Sequence, residues 1–224
     1  MLKEGTAEPS RKQVEFAKRE RDILKAAVSL LEGPRWETVT VEQISKKAEI
    51  GKGTIYKHFT CKEEIYANIA TDFFKRILGA YDVIDFAPKT ESKVILDFIQ
   101  QLIRITFELF LNNPVEAKIS FYCKRADFRE RLTDDLRQQF EVLDIQFEVY
   151  IGTILQKGIE IEIFPNMPVE HLMMGLEATF DGAVGMIWNG DINCSSMTDQ
   201  ETYIQMISDF MIAGLIGLKN KEKE

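Results

Sequence analysis

Between Thr40 and Lys62 the chain concentrates side chains suited to one kind of chemistry. Lys52, Lys57 and Lys62 bring ammonium groups, Thr40 and Thr54 hydroxyls, Tyr56 a phenol and His58 an imidazole, with Gly53 set among them. Cations and hydroxyls of this kind bond phosphate oxygens and the edges of bases, which is the chemistry of a nucleic-acid groove. Ile55 and Phe59, four residues apart, mark the apolar side of a short helix. Its polar side is then Lys52, Thr54, Tyr56, Lys57 and His58.

The elements that must hold these groups are also legible. Thr40-x-x-Gln43 fits a capping box, in which the threonine hydroxyl accepts from a backbone N–H and the glutamine reaches back; Thr60-x-x-Glu63 fits it again. Ile44 and Ala48 give a first short apolar face, and Gly51-Lys52-Gly53 interrupts before Ile55 and Phe59. The pattern predicts helix, turn, helix and the start of a third helix.

Over about residues 22–66 the chain resembles the DNA-binding end of the tetracycline-repressor (TetR) family. The resemblance begins with Ile23-Leu24-x-Ala26-Ala27-x-x-Leu30-Leu31-x-Gly33 and continues through Thr38-Val39-Thr40-Val41-x-x-Ile44. It ends in Lys52-Gly53-Thr54-Ile55-Tyr56-x-His58-Phe59-x-x-Lys62-Glu63. The resemblance implies an all-α homodimer that binds double-stranded DNA at an inverted repeat and commonly releases it when a small molecule enters a cavity in the body. Thr40, Tyr56, His58 and Lys62 are then expected to hold phosphates, and Lys52, Thr54 and Lys57 to meet base edges. Where the family usually has Gly-Val-Ser, this chain has Glu49-Ile50-Gly51. The expectation is a turn that survives with a shifted glycine, and Lys52 taking over part of the lost serine's phosphate contact.

Charge is distributed unevenly. The whole chain has 28 cations against 36 anions, a net charge of -8. Residues 1–62 hold 13 Lys+Arg and 9 Asp+Glu, a net of +4, and the remainder is strongly acidic. An electropositive head on an acidic body turns the head toward phosphates, although ordinary solvated helices produce such splits as well. Three widely spaced cysteines, Cys61, Cys123 and Cys194, suit a reducing compartment. With neither an apolar leader segment nor an apolar run of bilayer-spanning length, the expected location is cytoplasmic.

The expected organisation is a helix-turn-helix head with an N-terminal arm over 1–62 and a larger helical ligand-binding and dimerisation domain over 63–224. Residues 1–12 read as a polar arm. Helices are expected over about 14–31, 62–84, 91–112, 114–124, 128–157, 169–189 and 199–218, with a third capping box at Thr198-x-x-Glu201 and a break at Pro88.

In the penultimate helix Gly175, Ala178, Gly182 and Gly185 form a seam of small residues, and in the last Tyr203, Ile207, Phe210 and Gly214 share a face. Such faces suit a two-fold four-helix interface, with packing inside one subunit as the alternative. Aromatic residues of the central helices, Phe107, Phe121, Phe147, Tyr150 and Phe180, suggest a pocket for a small, largely apolar ligand. Arg104, Glu177 and Asp181 interrupt apolar helices there, either as ligand contacts or as internally paired charges. Neither a metal-ligand spacing, a phosphate-binding glycine loop nor a nucleophile motif is present, so no cofactor, metal or enzymatic activity is expected. A small-molecule-sequestering protein without specific DNA binding is the alternative, drawn from the altered Glu49-Ile50-Gly51 turn.

Overall fold

The computed structural model describes residues 10–33, 36–84, 92–194 and 199–217. Among them the secondary structure is helical throughout: eleven α-helices and one 3-10 turn, Trp36–Thr38. In chain order the helices are α1 (Arg11–Leu31), α2 (Val41–Lys47), α3 (Lys52–His58), α4 (Lys62–Asp82), α5 (Ser92–Asn112), α6 (Pro114–Lys124), α7 (Ala126–Arg129), α8 (Asp134–Glu160), α9 (Val169–Trp188), α10 (Asp191–Cys194) and α11 (Gln200–Gly217). The chain forms two compact units, each discontinuous in sequence. Met1–Phe73 joins Val115–Arg137, and Phe74–Pro114 joins Gln138–Glu224. The functional boundary expected at residues 62 and 63 falls within the first unit.

In the first unit α1 starts earlier than its apolar pattern suggested. Ser10 Oγ accepts from the Gln13 amide at 3.4 Å and Gln13 Oε1 accepts from the Ser10 amide at 2.8 Å, a capping box that converts the end of the expected arm into helix. Ile23, Ala26, Ala27 and Leu31 bury one stripe of α1. That stripe packs on α2, and α2 packs on α3. Seven-residue helices have too few internal hydrogen bonds to be stable alone, so α2 and α3 depend on burying Ile44 and Ile55, both fully inaccessible. Truncating either to Ala would cost about 2–5 kcal/mol. At the start of α4 the expected Thr60–Glu63 box is shifted by one residue: the Thr60 hydroxyl donates to Glu64 Oε2 at 2.8 Å.

The single helix expected over 128–157 is two. A break at 130–133 separates α7 from α8, where Thr133 Oγ1 accepts from the Leu136 amide at 3.5 Å and Asp134 and Asp135 occupy the positive end of the new helix.

The second unit is built on aromatic contacts among α4, α5, α8 and α9. Phe74 meets Phe140 and Phe147 edge-on at 6.4 and 6.0 Å, and Tyr81 stacks on Tyr150 at 5.5 Å. Phe107 lies 4.6 Å from Phe180, which meets Phe110 at 5.0 Å. Helix α11 packs on both α5 and α9. Its cap is Asp199, whose carboxylate accepts from the Thr202 amide and hydroxyl at 2.9 Å each; Thr198, expected in that role, lies outside the described residues, as do Pro88 and Leu218. At the end of α8, a Cβ on Gly158 would sit 2.2 Å from the Phe164 ring, so only glycine permits that close approach.

Candidate nucleic-acid interface

Helices α2 and α3 form the helix-turn-helix, and the local sequence explains its geometry. Thr40 starts α2: its Oγ1 accepts from the Gln43 amide at 3.2 Å, and Gln43 Oε1 accepts from the Thr40 amide at 2.8 Å. The turn after α2 is a Schellman motif, with the Ile50 amide donating to the Ser45 carbonyl at 3.0 Å and the Glu49 amide to the Lys46 carbonyl at 3.3 Å. This motif demands a left-handed residue between them. The expected shift of glycine does not occur: Gly51 has φ -69° and serves as N-cap of α3, and Glu49 itself takes φ 55°. The hydrogen-bonding pattern fixes which residue must be left-handed, so a glycine two positions later cannot substitute for it.

The expected DNA contacts separate into two groups. Lys52, Gly53, Tyr56 and Lys57 are exposed, Tyr56 at 48 %, and Thr54 is half-buried beside them. Thr40 is exposed but its hydroxyl already serves as cap. Lys62 is half-buried; its Nζ donates to the Glu37 carbonyl at 3.0 Å and lies 5.4 Å from the centre of the Tyr66 ring. His58 turns inward. Its side chain is 7 % exposed, its ring lies 4.0 Å from that of Phe16 on α1, and its Nδ1 stands 3.6 Å from Glu20 Oε1. The outward side of α3 is therefore Lys52, Tyr56 and Lys57 with Thr54 half-buried beside them, while His58 and Lys62 tie α3 and α4 to their neighbours.

Sequence reasoning missed what supports this surface. Trp36 and Tyr66 meet Tyr122 of α6 edge-on at 5.5 and 6.2 Å, and Phe128 of α7 closes the cluster 5.1 Å from Tyr122. Arg131 Nη2 donates to the Tyr122 hydroxyl at 3.3 Å and its Nη1 lies 3.9 Å from Glu63 Oε1. Burial pushes the Tyr66 phenol well above its ordinary range, with Tyr122 and Glu63 adding to the effect. Burial likewise raises the Cys123 thiol, keeping it in the unreactive protonated form. Cys61 is half-buried.

The expected ligand residues are only partly brought together. Phe107 and Phe180 touch; Phe147 and Tyr150 gather separately around Tyr81, where the Tyr150 hydroxyl donates to the Tyr81 carbonyl at 2.8 Å. Phe121 belongs to the other compact unit, 5.2 Å from Lys124 Nζ. Arg104 is on the surface, paired with Glu108 at 3.1 Å; Glu177 is exposed and Asp181 half-buried. These charges interrupt apolar helices because they lie on outer or partly outer positions, which periodicity alone did not resolve.

The expected interface residues are open. Gly175, Ala178, Gly182 and Gly214 are exposed, Gly185 and Ile207 half-buried, and Phe210 is 66 % exposed. A Cβ placed on Gly175, Gly182, Gly185 or Gly214 would meet nothing within 4 Å. Tyr203 differs, being buried with its hydroxyl 3.4 Å from Met186 Sδ.

Among the described residues no group of three His, Cys, Asp or Glu side chains could hold a metal ion, and no helix is long and apolar enough to cross a membrane. A short recognition helix with an exposed cationic and phenolic face, set by a capped preceding helix and a closed turn, defines a helix-turn-helix DNA-binding protein. Residues 23–69 match the family described as bacterial regulatory proteins, tetR family, so this segment carries the DNA-binding region of that family. No curated protein matches.

Solved structures share the fold at low identity. A TetR-family regulator from Syntrophomonas wolfei superposes with a TM-score of 0.64 at 20 % identity, over 90 % of this chain and 97 % of its own. FadR from Bacillus subtilis, solved in complex with stearoyl-CoA, gives 0.59 at 18 % identity over 88 % and 97 %. RolR, solved with resorcinol, gives 0.57 at 16 % over 90 % and 89 %.

Proposed function

We propose that this chain is a repressor that binds an inverted-repeat operator as a homodimer and is released by a small, largely apolar molecule. The observation that carries the DNA half is the outward set of exposed Lys52, Tyr56 and Lys57 and half-buried Thr54 on one short helix, its start set by the Gly51 cap and its end held by His58. Lys57 and Thr54 are assigned to base edges, Lys52 to an edge or a nearby phosphate, and Tyr56 to a phosphate.

The dimer half draws on the second unit. Its α9 seam and the exposed Met174, Met186, Met206 and Phe210 leave apolar and glycine surface uncovered on α9 and α11, two helices that pack on each other, which suits an association site. The ligand half draws on the aromatic packing around Phe107, Phe110 and Phe180 and on the structural likeness to FadR with stearoyl-CoA and RolR with resorcinol. In this division of labour the first unit reads DNA, the second binds ligand and partner subunit, and the protein acts in the cytoplasm. The sequestering alternative rested on the altered turn; that turn closes with both of its hydrogen bonds, and so lends the alternative no support.

Selection of bound duplexes from a random pool tests the reading. An enriched inverted repeat is the expected result, because two heads related by a two-fold axis need two half-sites. Recovery of no shared sequence would contradict it.

A further inference from the structure

We propose that Tyr122 is a positioning residue for operator binding: it touches no DNA, but holds the turn from which α2 and α3 take their direction. The proposal rests on the DNA-binding reading above and adds to it a residue far outside the matched segment 23–69.

Helix α2 is entered from the 3-10 turn Trp36–Thr38, and its Thr40 cap follows that turn closely. Two ties hold the turn from α4, which follows the helix-turn-helix directly: the Tyr66 hydroxyl donates to the Trp36 carbonyl at 3.4 Å and Lys62 Nζ to the Glu37 carbonyl at 3.0 Å. Both grip backbone. The Trp36 ring is instead met by Tyr122, edge-on at 5.5 Å and 80°, and Tyr122 also meets Tyr66 at 6.2 Å and 81°. One ring therefore packs against both the turn and the residue that ties the turn down.

Tyr122 is itself fixed. Phe128 packs on it at 5.1 Å, and Arg131 donates to its hydroxyl while reaching Glu63 at the start of α4. The segment Val115–Arg137 thus belongs to the same compact unit as the helix-turn-helix. A seven-residue α2 cannot set its own direction, so its aim follows from what holds its entry. Base-edge hydrogen bonds tolerate little misplacement, whereas attraction to phosphates tolerates much.

The test measures affinity for the selected operator and for a random duplex, together with urea unfolding, in the full-length chain. Tyr122→Leu keeps bulk but loses the edge-on ring contacts; it is expected to weaken operator binding about tenfold or more while random-duplex binding stays within about twofold. Tyr122→Phe keeps the ring and is expected to restore operator affinity to within about threefold of the parent. Operator affinity unchanged in Tyr122→Leu, equal weakening on both duplexes, or no rescue by Tyr122→Phe would overturn the proposal. If Tyr122→Leu does not fold, Trp36→Leu decides, since it removes the same edge-on contact from the side of the turn while keeping the Trp36 carbonyl that Tyr66 ties. A selective loss of operator affinity supports the role, and unchanged affinity refutes it. Failure of the parent chain to prefer any duplex defeats the DNA-binding reading and this one with it; a preference undiminished in Tyr122→Leu defeats this one alone.

Discussion

The amide of Ile50 reaches back five residues to the carbonyl of Ser45, at 3.0 Å, and the residue this bond forces into the left-handed region is Glu49, at φ 55°. A second such closure ends α8, where the Ile163 amide donates to Gly158 at 2.9 Å and Glu162 takes φ 60°. Both positions commonly carry glycine in this motif, and a side chain there costs about 1–2 kcal/mol. Allowing for the greater freedom of glycine in the unfolded chain, Glu49→Gly is expected to stabilise the first unit by about 0.5–1 kcal/mol. Urea unfolding checks it, with Glu49→Ala as the control that removes the charge without relieving the backbone. A gain in the alanine variant equal to that in glycine would assign the effect to charge.

Substitutions on α3 are expected to sort by role. Lys57→Ala or Thr54→Ala should change the ranking of operator variants at particular base pairs by about 1–3 kcal/mol, and Tyr56→Phe should weaken all duplexes alike. Binding measured across a panel of single-base operator variants decides this. An unchanged ranking in Lys57→Ala removes that residue from base reading.

At the expected dimer face, the chain itself leaves room for a side chain. Nothing lies within 4 Å of a Cβ at Gly182, so Gly182→Leu is expected to leave the subunit fold intact while forcing the facing helices of two subunits apart. Sedimentation should show folded monomers, with specific DNA binding lost. A dimer that persists in this variant places the interface elsewhere.

Alkaline pH probes the second unit. The Tyr81 phenol is pushed up to about 12 from 10.0, chiefly by burial, against a lowering contribution from its hydrogen bond with Thr106. A raised pKa in the folded state means that the protonated phenol favours folding. That contribution is complete below about pH 10 and is lost as pH rises toward about 12. Unfolding free energy measured against pH should fall across this window, less steeply in Tyr81→Phe. An identical slope in the two chains would mean that Tyr81 does not carry the effect.

What the sequence disclosed was local. Helix positions followed from apolar spacing, and Thr40–Gln43 announced the start of α2 because capping joins residues three apart. Other local signals lie in the sequence as well: Ser10-x-x-Gln13 marks the start of α1, and Thr133 before two aspartates marks the break ahead of α8. The inward turn of His58 was not legible, because Phe16 and Glu20 meet it across helices. Nor was the Trp36–Tyr66–Tyr122 cluster, whose members share no helical face and come together only when Val115–Arg137 folds against the head. Phe121 and Phe147 both looked like pocket residues for the same reason: composition identifies an aromatic side chain without saying which compact unit takes it.

The most direct measure of the central claim is binding of the selected duplex followed by fluorescence anisotropy across a salt series, beside a random duplex of equal length. A dimer presenting two copies of Lys52, Tyr56 and Lys57, with about three to five phosphates neutralised by each head, predicts that log K falls with log salt at a slope of roughly -5 to -9. The selected inverted repeat should also bind at least about a thousandfold more tightly than the random duplex. A flat salt response, or equal affinity for the two duplexes, would contradict the assignment of this chain as an operator-binding dimer.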